Sequence, residues 1–537
     1  MIKKAAKFLI VAGVLAFVLA ACTPNDPAPT PGGQQAPATT APAQGGQQAP
    51  AATTPGHEPR TTFRISTIEE ITMIDPHFNT RAVDNTVAWQ VFEGFNFTNV
   101  RGELEPRLAH TTELSDDGMT FTYHLRENVP FHCGHILSST DVLFSFERAK
   151  TAPPMQINVA AIDTVEAIDD LTVAITLAQV DPMFRINGNI AIMCHVCGAN
   201  VEPGFNYPSI GTGPYMIGDW GDGRRVVKER FNDWHMQHVL GWLPQIETQI
   251  TYVLVDQTTQ MMALEADDID YLGIPAPDWD RVVASGNFTY FTQQSWHTTY
   301  IVFNTLRAPF DDVRVRQAFN YAVNQVDVAL AAREGLADIA FMMGNPYYIA
   351  HLQDLTQDPN FYRFDFNQER ARELLAEAGF PDGLVLDEPL GTFPTGHLLT
   401  AAEVVQQQLA DVGVTVSLEA GDPATYFQDL NLGNFFFAVS GWSWTTPDAF
   451  WTERRFATDH IGDVNSAHYS NPEVDALFEI ARTSMDQEVR RQAFRDAFKI
   501  VSRDAVIIPL YYQYQLLAWH PDLTANPNRP RFEWYWN

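Results

Sequence analysis

Residues 23–58 of this 537-residue chain contain no apolar side chain large enough to form a core, so any fold must be built from about residue 59 onward. Three lysines precede an apolar stretch at residues 8–21, which ends in Leu19-Ala20-Ala21-Cys22. This stretch is too short for a lasting transmembrane helix, and it ends in the small residues of a cleavage site. Residues 1–21 are therefore predicted to be a lipoprotein signal peptide. An ordinary secretory signal with a chance cysteine is the alternative.

The predicted mature N-terminus is Cys22, and the residues that follow it are expected to form a tether. Diacylglycerol on the Cys22 thiol would anchor the protein on the extracytoplasmic face of the cell membrane, since each buried methylene contributes about 0.8 kcal/mol. Residues 22–58 consist mainly of Pro, Ala, Thr, Gly and Gln. Such segments stay extended and solvated. The tether would let a folded body move at some distance from the lipid, in a periplasm or at a cell surface.

The remaining chain, roughly 480 residues, is long enough for two or three domains. No later apolar run is long enough to span a membrane. Asp and Glu total 65 against 34 Lys and Arg, a net charge of -31 that becomes -34 without the three lysines of the signal peptide. This acidic balance argues against nucleic acid as a partner. It does not indicate the charge of a ligand.

Three cysteines lie in the predicted folded body, in a compartment where disulfides persist. Two form Cys194-His195-Val196-Cys197, a spacing that suits a tight disulfide, a redox pair or half of a zinc site. The third lies in Phe131-His132-Cys133-Gly134-His135, which could add ligands. We expect a structural disulfide or inert thiols and assign no metal. A metal site made by Cys133, Cys194, Cys197 and His195 is the alternative, and redox chemistry ranks last because the residues after Cys197 are typical of a loop.

The folded region begins with strand patterns and then changes to alternating helices and strands. Residues 120–125 and 171–177 alternate apolar and polar side chains, which predicts half-buried antiparallel strands. Residues 139–141 offer an N-cap for a helix between them. Residues 414–418 alternate as a later strand, and the overall order predicts an α/β protein with a β-rich insertion. Apolar residues at helical spacing lie in residues 312–324, 371–378, 405–409 and 493–501.

A series of short motifs occurs in one order along nearly the whole folded region. The motifs are Ile74-Asp75-Pro76-His77, Phe92-Glu93-Gly94, Leu125-Arg126, Phe131-His132, Asp141-Val142-Leu143-Phe144-Ser145, Gly211-Thr212-Gly213-Pro214-Tyr215, Phe303-Asn304-Thr305, Pro309-Phe310-Asp311-Asp312-Val313-Arg314-Val315-Arg316-Gln317-Ala318, Ala322-Val323-Asn324, Leu375-Ala376-Glu377-Ala378-Gly379-Phe380 and Asn471-Pro472-Glu473-Val474-Asp475. Each motif alone is weak. Together they resemble solute-binding family 5, the substrate-binding lipoproteins of dipeptide- and oligopeptide-type ABC importers.

The resemblance implies a two-lobed α/β fold of the periplasmic-binding-protein type (type II, peptide-binder cluster) with an extra β-rich subdomain. The implied domains are a discontinuous lobe I at 59–96, 201–298 and 505–537, the inserted subdomain at 97–200, and lobe II at 299–504. The implied function is capture of peptides by lobe closure and delivery to an ABC permease with its ATPase subunits, as a monomer without a cofactor. The sequence carries no hydrolase motif or phosphate loop, so we predict that the protein is not an enzyme.

The candidate ligand site centres on Gly441-Trp442-Ser443-Trp444-Thr445 and Asp448, where two tryptophans and exposed backbone follow a strand-like apolar run. Core aromatic residues are the alternative interpretation of the tryptophans. Thr80, Arg81 and Asn304 complete the candidate set.

This sequence departs from the family pattern at two positions. Peptide-binding relatives carry an aspartate at the position of Thr445, so capture of a peptide ammonium group would need Asp448 or another acid. Relatives usually carry aspartate at the position of Cys133 as well. Other functions therefore stay open: import of an oligosaccharide stacked on Trp442 and Trp444, import of a metal chelate, or a surface metal or redox protein that uses Cys133, Cys194 and Cys197.

Overall fold

The computed structural model describes residues 60–98, 103–198, 210–220, 224–394, 396–422, 425–443, 448–525 and 534–536. For residues 82, 525 and 534–536 it describes the backbone alone. The predicted signal peptide, Cys22 and the tether lie outside the described residues. Among the helices of these ranges, none combines the length and the apolar character needed to cross a membrane.

The described chain alternates strands and helices over most of its length. The strands are β1 (Thr62–Thr67), β2 (Asn96–Thr98), β3 (Leu104–Pro106), β4 (Ala109–Leu114), β5 (Thr120–Leu125), β6 (Ile162–Asp169), β7 (Thr172–Leu177), β8 (Tyr215–Asp219), β9 (Arg225–Arg230), β10 (Thr248–Val253), β11 (Tyr271–Gly273), β12 (Thr289–Phe303), β13 (Ala337–Ile339), β14 (Leu384–Val385), β15 (Leu390–Thr392), β16 (Val414–Thr415), β17 (Leu418–Ala420), β18 (Phe437–Ser443), β19 (Ile507–Trp519), β20 (Leu523–Ala525) and β21 (Trp534–Trp536). The helices are α1 (Ala82–Val91), α2 (Ser139–Thr151), α3 (Gln156–Val159), α4 (Phe184–Asn187), α5 (His195–Gly198), α6 (Gln237–Leu240), α7 (Gln257–Glu265), α8 (Ala276–Ser285), α9 (Val313–Ala322), α10 (Gln325–Arg333), α11 (Gln368–Glu377), α12 (Gly396–Asp411), α13 (Tyr426–Asn431), α14 (Phe450–Glu453), α15 (Pro472–Thr483) and α16 (Gln487–Arg503).

The largest sheet has eleven strands, in the order β17-β15-β18-β12-β19-β11-β1-β10-β9-β8, with β13 paired to β19. Its two long strands, β12 and β19, pair with each other through a break in register. From Thr289 to Gln294, β12 pairs with the C-terminal part of β19, which also pairs with β11. From Thr298 onward β12 pairs with the N-terminal part of β19, and from His297 onward it pairs with β18. The register shifts between Gln294 and Thr298. Because a bulge bends and twists a strand locally, this irregularity divides the sheet into two halves.

The predicted boundary between lobe I and lobe II at residues 298 and 299 lies at this bulge. The other predicted boundary, at residues 504 and 505, lies just before β19, which continues through both halves of the sheet. The domain limits stay predictions.

Helices cover both faces of the half of the sheet that contains β18. Tyr300 and Val302 of β12 pack into a core with the apolar faces of α15 and α16. Ile301 and Phe303 point to the opposite side and pack with α9, α11 and α12. Successive side chains of a strand alternate between its faces, so this half has three layers. The arrangement confirms the predicted α/β class.

The β-rich region contains a four-stranded antiparallel sheet in the order β4-β5-β7-β6. Phe121 and Tyr123 of β5 pack with Val142 and Phe146 of α2 in one core. The predicted strands at 120–125 and 171–177 are confirmed as β5 and β7. Helix α2 begins at Ser139, so its N-cap is Ser138, one residue earlier than predicted, and Ser138 forms a capping box with Asp141.

The helices predicted from apolar spacing in the later part of the chain are confirmed as α9, α11, α12 and α16. Asp312 caps α9, and its carboxylate accepts a hydrogen bond from the Arg314 amide at 2.8 Å. The strand predicted at 414–418 is instead two short strands, β16 and β17. They separate because β16 pairs with β14 in a small sheet, whereas β17 pairs with β15 in the large one.

Candidate functional site

The predicted tryptophan segment lies at the C-terminal end of β18, directly beside the bulge of β12. Trp442 is opposite Thr298, and Ser443 is opposite His297. The guanidinium carbon of Arg455 lies 3.6 Å from the centroid of the half-buried Trp442 ring. A guanidinium at this distance attracts the ring face electrostatically. One face of Trp442 is therefore covered by a side chain of the protein itself. Trp444 and Thr445 lie outside the described residues.

Gly441 lies under an imidazole ring that the sequence analysis did not select. A Cβ atom at Gly441 would lie 2.4 Å from Nε2 of His297, whose Nδ1 is 3.0 Å from the Ser443 hydroxyl. Burial, followed by the nearby His397 and Arg333, lowers the pKa of His297 to about 3. The ring is thus neutral at physiological pH and holds Ser443 through a hydrogen bond. Glycine at 441 allows the strand and the ring to approach this closely.

A second imidazole, His397 near the start of α12, lies close to the first. The two ring centroids are 6.1 Å apart, and His397 Nε2 is 2.8 Å from Nε2 of Gln513 on β19. Burial lowers the pKa of His397 to about 4, with Arg333 acting in the same direction. One neutral histidine thus contacts the segment 441–443, and a second one lies beside the first.

Asp448 is placed near the segment but is engaged by a buried cation. Its Oδ2 lies 2.7 Å from Nη2 of Arg490, a residue that is 1% exposed, and its Oδ1 accepts a hydrogen bond from the Phe450 amide at 2.9 Å. Asp181 of the β-rich region interacts with both charges, and burial raises the pKa of Asp181. Asp448 therefore balances Arg490 and accepts a hydrogen bond from the first residue of α14.

The other three predicted residues take positions apart from the segment. Asn304 follows the last residue of β12; its Oδ1 accepts a hydrogen bond from the Leu306 amide at 3.2 Å and its Nδ2 donates to the Gly433 carbonyl at 3.4 Å. Arg81 forms an ion pair with Glu69, and Thr80 beside it is exposed. Within the described chain, no hydrogen bond or ion pair joins these three residues to residues 441–443. Asn304 organises a turn.

Several buried polar atoms on β12 and in the segment after Asp448 have no hydrogen-bond partner among the described residues. The buried atoms Tyr300 Oη, Trp451 Nε1 and Arg455 Nη2 have no hydrogen-bond partner among the described residues, and neither does either carboxylate oxygen of Glu453. Burial of such groups without a partner is costly. Polar groups of a bound molecule, or ordered water, would stabilise this region by forming hydrogen bonds with these atoms.

Two of the sequence motifs meet around a buried carboxylate in the other half of the molecule. Glu93 accepts hydrogen bonds from the Thr212 hydroxyl at 3.0 Å and from Trp234 Nε1 at 3.2 Å, and His235 Nε2 lies 2.8 Å from it. Burial alone would raise the pKa of Glu93, but His235, Arg107 and the Thr212 hydrogen bond together lower it. The Phe-Glu-Gly and Gly-Thr-Gly-Pro-Tyr motifs are thus joined by one ionised side chain and are structural.

The three cysteines come together in the β-rich region. Cys133 and Cys197 form a disulfide, and the buried Cys194 is a free thiol. His195 contacts Asp141 rather than a sulfur, at 2.8 Å. The disulfide agrees with the expectation from the sequence, which left the pairing open.

Comparisons with known proteins define the class. The fold is that of the two-lobed extracytoplasmic binding proteins: the peptide-complexed DppA of Helicobacter pylori superposes with a TM-score of 0.74 at 22% identity, covering 88% of this chain and 98% of that one. Heme-binding protein A of Haemophilus influenzae is 28% identical over 76% of this chain and 79% of its own length. Glutathione-binding protein GsiB of Pectobacterium atrosepticum is 28% identical over 81% of this chain and 85% of its own.

The family model for bacterial extracellular solute-binding proteins, family 5 (Middle), matches residues 103–460. The chain belongs to this family. It is a solute-binding protein of an ABC importer and acts outside the cytoplasm.

Proposed function

We propose that this protein is a lipid-anchored peptide-binding protein that closes its two lobes on a peptide and delivers it, as a monomer, to an ABC permease. The observation that carries the choice of peptide is the free edge of β18. On one side β18 pairs with β12 from Phe437 to Ser443, but on the other side β15 reaches only Phe437 and Ala438. Beyond Ala438, no strand of the described chain pairs with that edge; the Tyr426 hydroxyl donates to the Val439 carbonyl there.

An unpaired strand edge can bind another extended chain through main-chain hydrogen bonds. Residues 441–443 offer such an edge next to the bulge, where the two halves of the sheet meet. Main-chain recognition of this kind accepts many side-chain sequences. The fold similarity to DppA, whose structure contains the peptide STSA, supports the same class of cargo.

The electrostatics of the site favour peptides recognised along the main chain rather than by a free ammonium group. Asp448 already balances Arg490, so it offers no uncompensated carboxylate. The neutral Thr445 cannot supply a charge-assisted hydrogen bond. An oligosaccharide is less favoured because Arg455 covers one face of Trp442.

The test compares three forms of one bound peptide. Peptides are identified by native mass spectrometry of the purified protein, and the best one is synthesised unmodified, N-acetylated and N-methylated at alternate residues. Calorimetry should show less than tenfold loss on acetylation. N-methylation of one set of alternate residues should lower the affinity about tenfold or more for each hydrogen bond lost, which is about 1.4 kcal/mol. N-methylation of the other set should change the affinity little. Hexose-spaced or metal-containing adducts, or equal effects at both registers, would contradict main-chain peptide recognition.

The anchor at Cys22 has its own test. The wild-type protein should incorporate a clickable palmitate analogue and sediment with membranes, whereas Cys22→Ser should do neither. Thr23→Ser is the matched control. Labelling that survives Cys22→Ser would refute lipidation at this residue.

A further inference from the structure

Five potential metal ligands meet at the edge of the β-rich region. The ligand atoms of Cys133, Cys194 and Cys197 all lie within 4.8 Å of one another. The same holds for His135, Asp141 and Cys194. Cys194, whose side chain is fully buried, belongs to both groups.

Two short segments bring these groups together. The first is the turn at residues 131–135, closed by a hydrogen bond from the Phe131 amide to the His135 carbonyl at 2.7 Å. The second begins α5, where the Cys197 amide lies 3.3 Å from the Cys194 sulfur and donates to it. The two segments thus place the sulfurs of Cys133, Cys194 and Cys197 within reach of one ion.

The spacing of the sulfurs fits a tetrahedral ion. With zinc–sulfur bonds of about 2.3 Å, two ligands of a tetrahedral site lie about 3.8 Å apart. The Cys133 and Cys194 sulfurs are 3.6 Å apart. The Cys194 sulfur therefore already lies at the distance from Cys133 that a shared ion requires, whereas the bonded sulfurs of Cys133 and Cys197 must separate on reduction.

A buried carboxylate orients the neighbouring imidazoles. Asp141 lies 3.3 Å from His135 Nε2 and 2.8 Å from His195 Nδ1, and the two rings meet edge to face with centroids 5.0 Å apart. Asp141 is also held by the Ser138 amide at 2.9 Å. A carboxylate that fixes the orientation of a histidine ring is typical of zinc sites. His135 is favoured over His195 as a ligand because its ligand atom groups with Cys194.

We propose that, with the three cysteines reduced, Cys133, Cys194, Cys197 and His135 bind one Zn²⁺ ion, with Asp141 as the carboxylate behind the histidine. Three thiolates and one imidazole form a common structural zinc site, and soft thiolates select zinc over magnesium or calcium. The ion would crosslink the turn at residues 131–135 to α5. The Cys133–Cys197 disulfide with a free Cys194 thiol is the oxidised form of the same cluster; a dithiol reductant supplies the two electrons and two protons that release the Cys133 and Cys197 thiols, and is itself oxidised to a disulfide. This proposal is independent of the cargo.

The experiment uses the full chain, reduced and then freed of reductant under anaerobic conditions. One Zn²⁺ per chain should be retained after dialysis, measured by elemental analysis, and Co²⁺ in its place should show the thiolate charge-transfer bands of a tetrahedral site. Cys194→Ser should weaken zinc binding by about 100-fold or more and His135→Asn by about 10- to 100-fold. His238→Asn, at an exposed histidine of α6, is the control and should bind like the wild type.

Cys194→Ser is the decisive variant because Cys194 takes no part in the disulfide. If the cluster serves only as a disulfide, this variant keeps the bond and reduced wild type binds zinc no more tightly than the variant. That result would overturn the proposal. The cobalt spectrum needs only wild-type protein, so a variant that fails to fold leaves the test intact: octahedral bands without thiolate charge transfer would also overturn it.

Discussion

The buried carboxyl group of Glu453 should make the stability of this protein depend on pH in an unusual direction. Glu453 ends α14, is fully buried, and has Arg482 Nη1 3.8 Å from its Oε1. Burial raises its pKa from 4.5 to about 8; Asp459 and Asp448 add to the rise, while Arg482 and Arg490 oppose it. The folded protein therefore holds this proton at neutral pH, whereas the unfolded chain releases it.

The direction of the pH dependence is set by which state, folded or unfolded, binds the proton. Between the two pKa values the folded state binds more protons, so the free energy of unfolding falls as the pH rises. The stabilisation is complete below 4.5 and is lost as the pH rises through about 8. The slope is about 1.4 kcal/mol per pH unit, which sums to about 4 kcal/mol between pH 5 and pH 9.

Glu453→Gln removes the titration and keeps the shape of the side chain. Its free energy of unfolding, relative to wild type, should rise by about 4 kcal/mol between pH 5 and pH 9, because the variant loses the slope. Urea unfolding followed by tryptophan fluorescence at several pH values gives this difference. The free energy of unfolding of Glu419→Gln, at an exposed position of β17, should depend on pH as that of the wild type does. If Glu453→Gln also shows the wild-type pH dependence, the buried carboxyl group is not protonated in the folded state and the reasoning fails.

Two further substitutions test the motifs and the site. Glu93→Gln should lower the free energy of unfolding by about 3 kcal/mol, because it removes the charge on which three donors converge. Urea unfolding measures this loss, with Glu166→Gln at an exposed position as the control. A loss under about 0.5 kcal/mol for Glu93→Gln would contradict the prediction. Gly441→Ala should weaken peptide binding at least about tenfold, because the added methyl group would overlap the His297 ring. Calorimetry tests this against Gly273→Ala, where nothing lies within 4 Å of the added Cβ, and unchanged affinity would refute the close approach.

The fold was largely predictable because its elements are specified locally. The repeat of Val315, Ala318 and Phe319 marks the buried face of α9 without knowledge of any partner. The long-range pairing of the strands was harder to predict from the sequence. Residues 294–298, where β12 changes register, show no alternation that would reveal a bulge. This bulge decides which side chains meet residues 441–443.

The site was predictable only in its local part. Gly441 and Trp442 were identified from their own segment, but His297 contacts Ser443 across 146 residues of sequence. Arg455 could not be assigned to the face of Trp442, since the two residues lie 13 positions apart and no periodic pattern joins them. Side chains brought together by tertiary structure leave no periodic signal in either segment.

One contact did leave a signal that the sequence analysis passed over. Arg490, Ala493, Phe494 and Ala497 follow the spacing i, i+3, i+4, i+7, which places a guanidinium on the apolar face of α16. A charged residue at such a position must be paired, because an unpaired buried charge is costly. The partner is Asp448, the acid that the sequence analysis offered to a peptide ammonium group. The spacing within α16 therefore predicts that Arg490 needs a buried acidic partner, which is the role that Asp448 has in the structure.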